Sequence, residues 1–415
     1  MSDSAIGLVG CGGMGHRHLR AYGALRRVGV RGFELAAVCD PRREAAEHAA
    51  EVVAELLGSR PAVFASADEL IASGAVQAID LVTEPSIHHL IAVPALAAGI
   101  HVLSEKPLGV TVRACREMVD AAAASGAILA TAENYRRDAP NRLARAVLDS
   151  GMLGNIHLML ECNIGGGNGV LISPWRHLRE KGSIALDMGV HYTDIFSYLL
   201  GDLERACGVA FIAEPGRVLA PGMVADGDVE ELEPGVMRAT GDDSLVAIFE
   251  TAAGALIQLA YLPSGPPRHW IQRSLHGRNG SMSVPFDRTG GPVVVELDDR
   301  RLTGAELRAE LGDFRLHGVT GEFFGPEGTE YDLPFAEVDA ATIAIELDDF
   351  ITAIGEGRAP EVDGRAGLLA VAGVWAIAES RATGGFVAIA DVADGTISAV
   401  QDPIDRANGL LMKAS

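Results

Sequence analysis

The stretch Ala5-Ile-Gly-Leu-Val-Gly-Cys-Gly-Gly-Met-Gly15 reads as a buried strand that runs straight into a glycine-rich turn and then a helix. The turn places Gly10, Gly12 and Gly15 in a G-x-G-x-x-G spacing, with Gly13 and Met14 inside it. Each glycine answers a steric demand. The first lets the chain turn sharply, the second clears a Cβ from the approach of a pyrophosphate, and the third lets helix and strand pack closely. Backbone N–H groups at the helix start then face the phosphates. In a chain with 49 glycines the spacing needs context, and the next apolar run supplies it. Phe33-Glu-Leu-Ala-Ala-Val-Cys39 ends on Asp40, about where a second parallel strand should end. A carboxylate there can accept hydrogen bonds from an adenosine ribose diol. Asp40 favours NAD, because a carboxylate beside a 2′-phosphate is repulsive, while Arg42 and Arg43 just beyond it leave room for NADP. Asp40-Pro41 also reads as a helix N-cap followed by proline at the first helical position.

Apolar strands continue to alternate with helices. A helix follows to about Gly58, then Val63-Phe64, a helix from Asp68 to Ser73, the strand Ala78 to Thr83, and a helix from His89 to Ala98 that stops at Gly99. This alternation predicts a parallel sheet covered on both faces. The strand Ile100 to Leu103 ends in Ser104-Glu105-Lys106-Pro107. Ligands of such sheets bind outside the carboxyl ends of the strands, so Glu105 and Lys106 are placed where a cofactor lies. A helix from Val112 to Ser125 and a strand from Ile128 to Ala132 complete the pattern. Glu133-Asn-Tyr-Arg136 reads as the crossover out of it.

Beyond that point the period changes. After a helix to Ser150, Ile156, Leu158, Leu160 and Cys162 alternate with polar neighbours, as do Leu245 to Thr251, Ala255 to Leu262 and Trp270 to His276, and Asn279-Gly280 is a hairpin signal. The fold expected is an α/β Rossmann domain over residues 1–133, then an α+β domain with a large open, mostly antiparallel sheet over residues 134–415. The apolar stripe Ile343, Leu347, Phe350, Ile351, Ile354 and the helix Leu368 to Arg381 read as core helices, so that segment 340–383 can pack back on the first domain. Residues 285–334 read only as loops with short strands.

At 415 residues two domains are expected, and 48% hydrophobic residues suffice for their cores. A formal charge of −22 argues against nucleic acid and anionic membrane surfaces. No apolar run approaches the roughly 18 residues of a membrane span, and Met1-Ser-Asp-Ser leads directly into the first strand, which leaves no room for a signal peptide. The five cysteines lack any metal-ligand spacing, so the sequence predicts no metal site and a reduced, cytoplasmic setting.

Chemistry concentrates between residues 165 and 194. Gly165-Gly-Gly-Asn-Gly169 follows a strand with no helix opening after it and reads as a mobile loop. Trp175-Arg176-His177 and Asp187-Met-Gly-Val-His191-Tyr-Thr-Asp194 come next. If Leu186 to Leu200 is helical, Asp187, His191 and Asp194 share one face. A histidine between two carboxylates has a fixed tautomer and raised basicity, as a general base for a hydroxyl proton requires. The alternative is a histidine satisfied by a neighbouring aspartate for structural reasons.

Taken together, Gly10-x-Gly12-x-x-Gly15, Glu105-Lys106-Pro107 and Asp187-x-x-x-His191 closely resemble the glucose-fructose oxidoreductase, inositol dehydrogenase and rhizopine-catabolism (Gfo/Idh/MocA) family, over nearly the whole chain. The resemblance implies hydride transfer between NAD(P) and a hydroxyl carbon of a sugar, polyol or sugar derivative, and a homodimer or homotetramer assembled through the second domain's sheet. It implies Lys106 as the residue that holds the reacting hydroxyl, His191 as acid/base and Asp187 as a positioning carboxylate. Arg136 matches an arginine that follows the crossover, and with Trp175, Arg176 and His177 it joins the expected substrate set. His88 matches a histidine beyond the third main strand, and with Thr83 it joins the expected cofactor set. The chain departs from the family in having Thr83-Glu84-Pro85 where Thr-Pro-Asn is usual, and in the length of 285–334. A few members of the family cleave glycosides by transient oxidation and elimination, which is the alternative reading of the same motifs. A regulator without turnover would not need both Lys106 and His191.

Overall fold

The computed structural model describes residues 4–223, 229–265 and 268–412. Met1 to Asp3, read above as leading into the first strand, lie outside the described residues. The first sheet is built from β1 (Ser4–Val9), β2 (Phe33–Cys39), β3 (Ala62–Phe64), β4 (Ala78–Leu81), β5 (His101–Glu105) and β6 (Leu129–Ala132). Its order is β3-β2-β1-β4-β5-β6, with every pair parallel. The strands are near-continuous apolar runs because helices cover both faces: α1 (Gly13–Arg27), α2 (Arg43–Leu57), α3 (Ala67–Ser73), α4 (His88–Ala97) and α5 (Val112–Ser125). Strand order reverses between β1 and β4, which opens a crevice at the carboxyl end of β1, beside the glycine turn.

The second half begins with α6 (Ala139–Asp149), β7 (Ile156–Ile164), α7 (Ile184–Leu200) and β8 (Leu203–Phe211). A small sheet of β9 (Gly216–Val218), β10 (Glu231–Glu233) and β11 (Val236–Arg238) follows. The large sheet is completed by β12 (Ser244–Thr251), β13 (Leu256–Leu262), β14 (Trp270–Gly277), β15 (Ser281–Val284), β16 (Val294–Leu297) and β17 (Arg300–Leu302). Segment 285–334, expected as loops with short strands, also holds two helices, α8 (Gly304–Glu310) and α9 (Gly318–Phe324). After α10 (Phe335–Glu356) and α11 (Gly364–Thr383), the strand β18 (Val387–Ala388) closes a nine-stranded order β17-β16-β15-β14-β7-β13-β12-β8-β18. Pairing is antiparallel except between β7 and β13. Alternation sends Leu245, Ala247 and Phe249 of β12 toward α7 and α11, while Val246 and Ile248 stay 49% and 46% exposed on the opposite face.

Helix α10 leaves the second half of the chain and packs on α1. Its Ile343, Leu347 and Phe350 share a core with Leu19, Tyr22 and Leu25, and Asp339 pairs with Arg17. The glycine turn is thereby held from behind. Gly10 sits at φ +103°, where a Cβ would stand 2.3 Å from the Val82 carbonyl oxygen. A Cβ at Gly15 would stand 2.1 Å from the Gly10 oxygen. Gly15→Ala is therefore expected to lower unfolding free energy by about 1–3 kcal/mol through overpacking, measured by urea denaturation. Unchanged stability would mean that the β1–α1 joint opens without cost.

Candidate active site

The crevice is a cavity of about 960 Å³ that reaches from the glycine turn across to the second half of the chain. Helix α1 starts at Gly13 with no side-chain cap and no acidic residue in its first turn. Its first N–H groups are left for an anionic ligand. Gly10, Gly12, Gly13 and Met14 line the cavity floor, and Gly15 lies beneath them. Asp40 and Arg42 line one end. Asp40 is not the helix N-cap expected from Asp40-Pro41. Helix α2 starts at Arg43 with Arg42 as an N-cap that makes no side-chain cap bond. Asp40 instead accepts the N–H of Cys11 and the N–H of Arg42, both at 2.9 Å, which turns its carboxylate toward the cavity.

Thr83, Glu105 and Lys106 line the middle, and Trp175 and Arg176 close the far side from the second half. The Lys106–Pro107 peptide bond is cis. Lys106 Nζ donates to Asp187 Oδ1 at 3.0 Å and to the Asp187 carbonyl at 3.1 Å, and Arg176 Nε donates to Asp187 Oδ2 at 3.1 Å. Burial works against the Asp187 charge, but Lys106 and then Arg176 hold its carboxyl well below the usual range. Arg176 also lies 4.1 Å over the Trp175 ring. Glu105 accepts the Lys106 backbone N–H at 2.9 Å and faces His18 Nε2 at 3.2 Å, while His18 Nδ1 meets Asp80 at 2.9 Å. Burial opposes charge on His18, but Asp80 and Glu105 together hold its imidazole protonated.

His191 is placed differently from the expectation. Its Nδ1 hydrogen bonds Glu133 Oε1, not Asp187 or Asp194. Its ring stacks on Tyr135 at 3.9 Å between centroids and 3° between planes. Nε2 has no hydrogen-bond partner among the described residues and is not sealed from solvent. The expected rise in basicity is also corrected: burial first, then Lys106 and Arg288, push His191 well below its ordinary value. Asp194 is taken by Arg136, which donates to both of its oxygens.

Three further expected residues turn away from the cavity. Arg136, expected at the substrate, is committed to Asp194 and stacks over Tyr198. His177 is fully buried, and its Nε2 accepts the Leu171 N–H at 3.0 Å. His88, expected at the cofactor, is also fully buried, bonded to the Thr83 carbonyl, the Leu108 carbonyl and the Ser104 hydroxyl. The Gly165 to Gly169 run, expected as a mobile loop, is pinned along its length. Gly165 donates to Leu262, Gly167 to Gly265, and Val218 to Asn168. Glu133, Tyr135 and His18 were not among the expected site residues. For Glu133 a signal existed, a carboxylate at the carboxyl end of a parallel strand.

Two family models match the chain. One, described as an oxidoreductase family with an NAD-binding Rossmann fold, covers residues 4–133, and one described as a GFO/IDH/MocA C-terminal domain covers residues 141–283. Among curated proteins, levoglucosan dehydrogenase of Pseudarthrobacter phenanthrenivorans is 28% identical over 86% of this chain and 90% of its own length. Inositol 2-dehydrogenase of Azotobacter vinelandii is 27% identical over 85% and 94%. Among solved structures, an oxidoreductase domain protein from Kribbella flavida superposes with a TM-score of 0.77 at 24% identity, over 94% of this chain and 100% of that one. Levoglucosan dehydrogenase in complex with NADH superposes with a TM-score of 0.74 at 23% identity, over 94% and 99%. At such identities these superpositions speak to fold alone.

Removing one partner of the buried Arg136–Asp194 pair leaves an uncompensated charge. Arg136→Ala is expected to cost about 3–5 kcal/mol of stability, read by chemical denaturation. A variant of wild-type stability that binds substrate more weakly would return Arg136 to the substrate set.

Proposed function

The chain belongs to the Gfo/Idh/MocA oxidoreductase family, and from that premise we propose that it is an NAD-dependent dehydrogenase acting on a CH–OH group of a sugar, polyol or sugar derivative. The observation that carries the reading is the meeting, at the carboxyl end of the parallel sheet, of the Lys106 ammonium and a neutral His191 with an open Nε2. Residues 1–133 are proposed as the cofactor-binding domain and residues 134–415 as the substrate-binding and oligomerisation domain.

The residues present fit a dinucleotide. The uncapped start of α1 and the open space above Gly12 and Gly13 suit a pyrophosphate, and Asp40 suits a ribose diol. Bound there, NAD supplies the two-electron acceptor for the oxidation. Lys106 holds the reacting hydroxyl and favours the negative charge that grows on its oxygen, an effect that can be worth roughly 3 kcal/mol per donor. His191 takes the hydroxyl proton at Nε2. Asp187 fixes the Lys106 head group, and Trp175 and Arg176 shape the mouth where the substrate enters. Holding these groups at near-attack distance supplies much of the acceleration.

The exposed face of the large sheet, with Val246, Ile248 and Leu256, fits a second copy of the chain, giving a homodimer or homotetramer. Among the described residues no helix is long and apolar enough to cross a membrane. The reading carries with it a cytoplasmic setting, in which the free thiols of Cys11, Cys39, Cys115, Cys162 and Cys207 stay reduced.

A panel of sugars, polyols and sugar acids, each with NAD, is expected to yield NADH absorbance with at least one member. On that substrate Lys106→Ala and His191→Ala are each expected to lose about 100- to 10,000-fold in kcat, with NAD affinity by fluorescence quenching nearly intact. Near-normal turnover of His191→Ala across pH would make the histidine structural. For the cofactor, calorimetric titration is expected to give tighter binding of NAD than of NADP, because Asp40 repels a 2′-phosphate. Equal or tighter NADP binding would shift the weight to Arg42.

A further inference from the structure

We propose that Glu133 is the positioning residue through which His191 accepts the substrate's proton, so that the proton is held by the His191–Glu133 pair and not by the imidazole alone. The inference rests on the reading of His191 as the base. It goes beyond that reading by naming what makes a buried imidazole beside a cation able to act as one.

Four carboxylates lie near His191, and three are already spent: Glu105 meets His18 with one oxygen and accepts the Lys106 backbone N–H with the other. Asp187 gives Oδ1 to Lys106 and Oδ2 to Arg176, and Asp194 gives both oxygens to Arg136. Among the described residues only Glu133 hydrogen bonds the imidazole, at Nδ1. A carboxylate at Nδ1 takes the Nδ1–H tautomer and leaves the lone pair on Nε2, the nitrogen without a partner. The ring cannot swing away, because Tyr135 stacks flat on it and the Tyr135 backbone N–H donates to Glu133 Oε1 at 3.4 Å. Both side chains are buried.

The charges around the pair decide its chemistry. His191 faces Lys106 and Arg288, which disfavour an imidazolium, and Asp187 and Glu105, which favour one. Glu133 faces Lys106 and Arg136 on one hand and Glu105 on the other, with Asp194 and Glu346 close enough to feel it. Burial pushes the Glu133 carboxyl up to about 7 against the pull of Lys106. Alone among these cations, a buried imidazole would resist protonation. With the carboxylate attached, one proton takes the pair from a net charge of −1 to zero, which a buried site tolerates better than a lone positive charge. The step balances: the O–H bond of the substrate breaks, the proton bonds to Nε2, and the Nδ1 proton is shared with or passed to Glu133.

The sign of the pH dependence follows. Oxidation needs the pair unprotonated, so kcat falls as pH drops through the pair's apparent pKa. Glu133→Gln keeps an acceptor for Nδ1–H but removes the negative charge, which leaves the cations unopposed. The acid limb of kcat is then expected to move to lower pH and the plateau to fall at least about tenfold, with KM and NAD affinity changed little. Glu133→Asp, which keeps the charge but draws it back, is expected to keep the limb and lower the plateau, and it serves if the glutamine variant does not fold.

A second readout needs no turnover. In 15N-histidine-labelled holoenzyme above neutral pH, His191 is expected to show a protonated Nδ1 and a bare Nε2, its resonance identified among the 12 histidines by its loss in His191→Ala. An unmoved acid limb in Glu133→Gln, a change in KM alone, or an Nε2–H tautomer in the wild type would overturn the proposal. If His191→Ala is inactive while Glu133→Gln leaves the limb in place, only Glu133's part falls. If His191→Ala turns over normally, the base assignment itself falls.

Discussion

The ion pair between Lys106 and Asp187 is the joint on which the site depends. It ties the last residues of a parallel strand to the first turn of a helix that belongs to the other half of the chain. Helix α7 is prepared for the charge: the Ser183 hydroxyl caps it by accepting the Leu186 N–H, and Asp187 is the acidic residue of its first turn, where the helix dipole favours a carboxylate. Taking two charges out of water is costly, and a buried pair earns its place only when further hydrogen bonds satisfy what is left over. Here Arg176 occupies the second carboxylate oxygen and Lys106 reaches the Asp187 carbonyl as well. The lysine head group is thereby held against the first turn of α7 at the edge of the cavity.

That joint also determines the character of the neighbouring histidine. A fixed cation beside a buried imidazole disfavours the imidazolium, and the direction found for His191 is downward despite two carboxylates nearby. A site that needs a cation for a developing alkoxide and a neutral base for its proton must keep the two groups' protonation states apart while holding them side by side. Burial and the Lys106 charge act in the same sense on His191, against the opposing pull of Asp187 and Glu105, while Glu133 holds the ring by its far nitrogen.

What was legible in the sequence was what depends on residues close together in it. The glycine turn, Asp40 at the end of β2, Lys106 at the end of β5 and the helical register of Asp187, His191 and Asp194 are local patterns with local causes. The sharing of one helix face was read correctly, yet each aspartate is claimed by a cation from elsewhere: Lys106 and Arg176 for one, Arg136 for the other. No periodicity encodes that. Nor does it distinguish His191, whose unpartnered Nε2 is open to solvent, from His88, bonded at both nitrogens, and His177, fully buried with its Nε2 on the Leu171 amide. Helices α8 and α9 were missed because seven residues span too few turns to show a stripe. The parallel pairing of β7 with β13 inside an otherwise antiparallel sheet is set by chain topology, on which side-chain alternation is silent.

The boundary between the halves is clear in sequence and absent in space, and this bears on precision at the reacting centre. Helix α1 starts at the glycine turn, and α10 from far along the chain clamps its flank. From the buried side of α1, His18 reaches Glu105, and Glu105 in turn accepts the Lys106 backbone N–H. Helix α1 and Lys106 are thus two hydrogen bonds apart, through a fully buried histidine and a carboxylate that borders the cavity. Misplacement of about 1 Å at a reacting centre can cost 100-fold in rate. A buried link of this kind, fully partnered at His18, is stiffer than a solvated one because the imidazole has no water to exchange for its partners. On the proposed reading, with the cofactor at the glycine turn and the reacting hydroxyl on Lys106, the histidine on α1 ties those two positions together without facing the cavity.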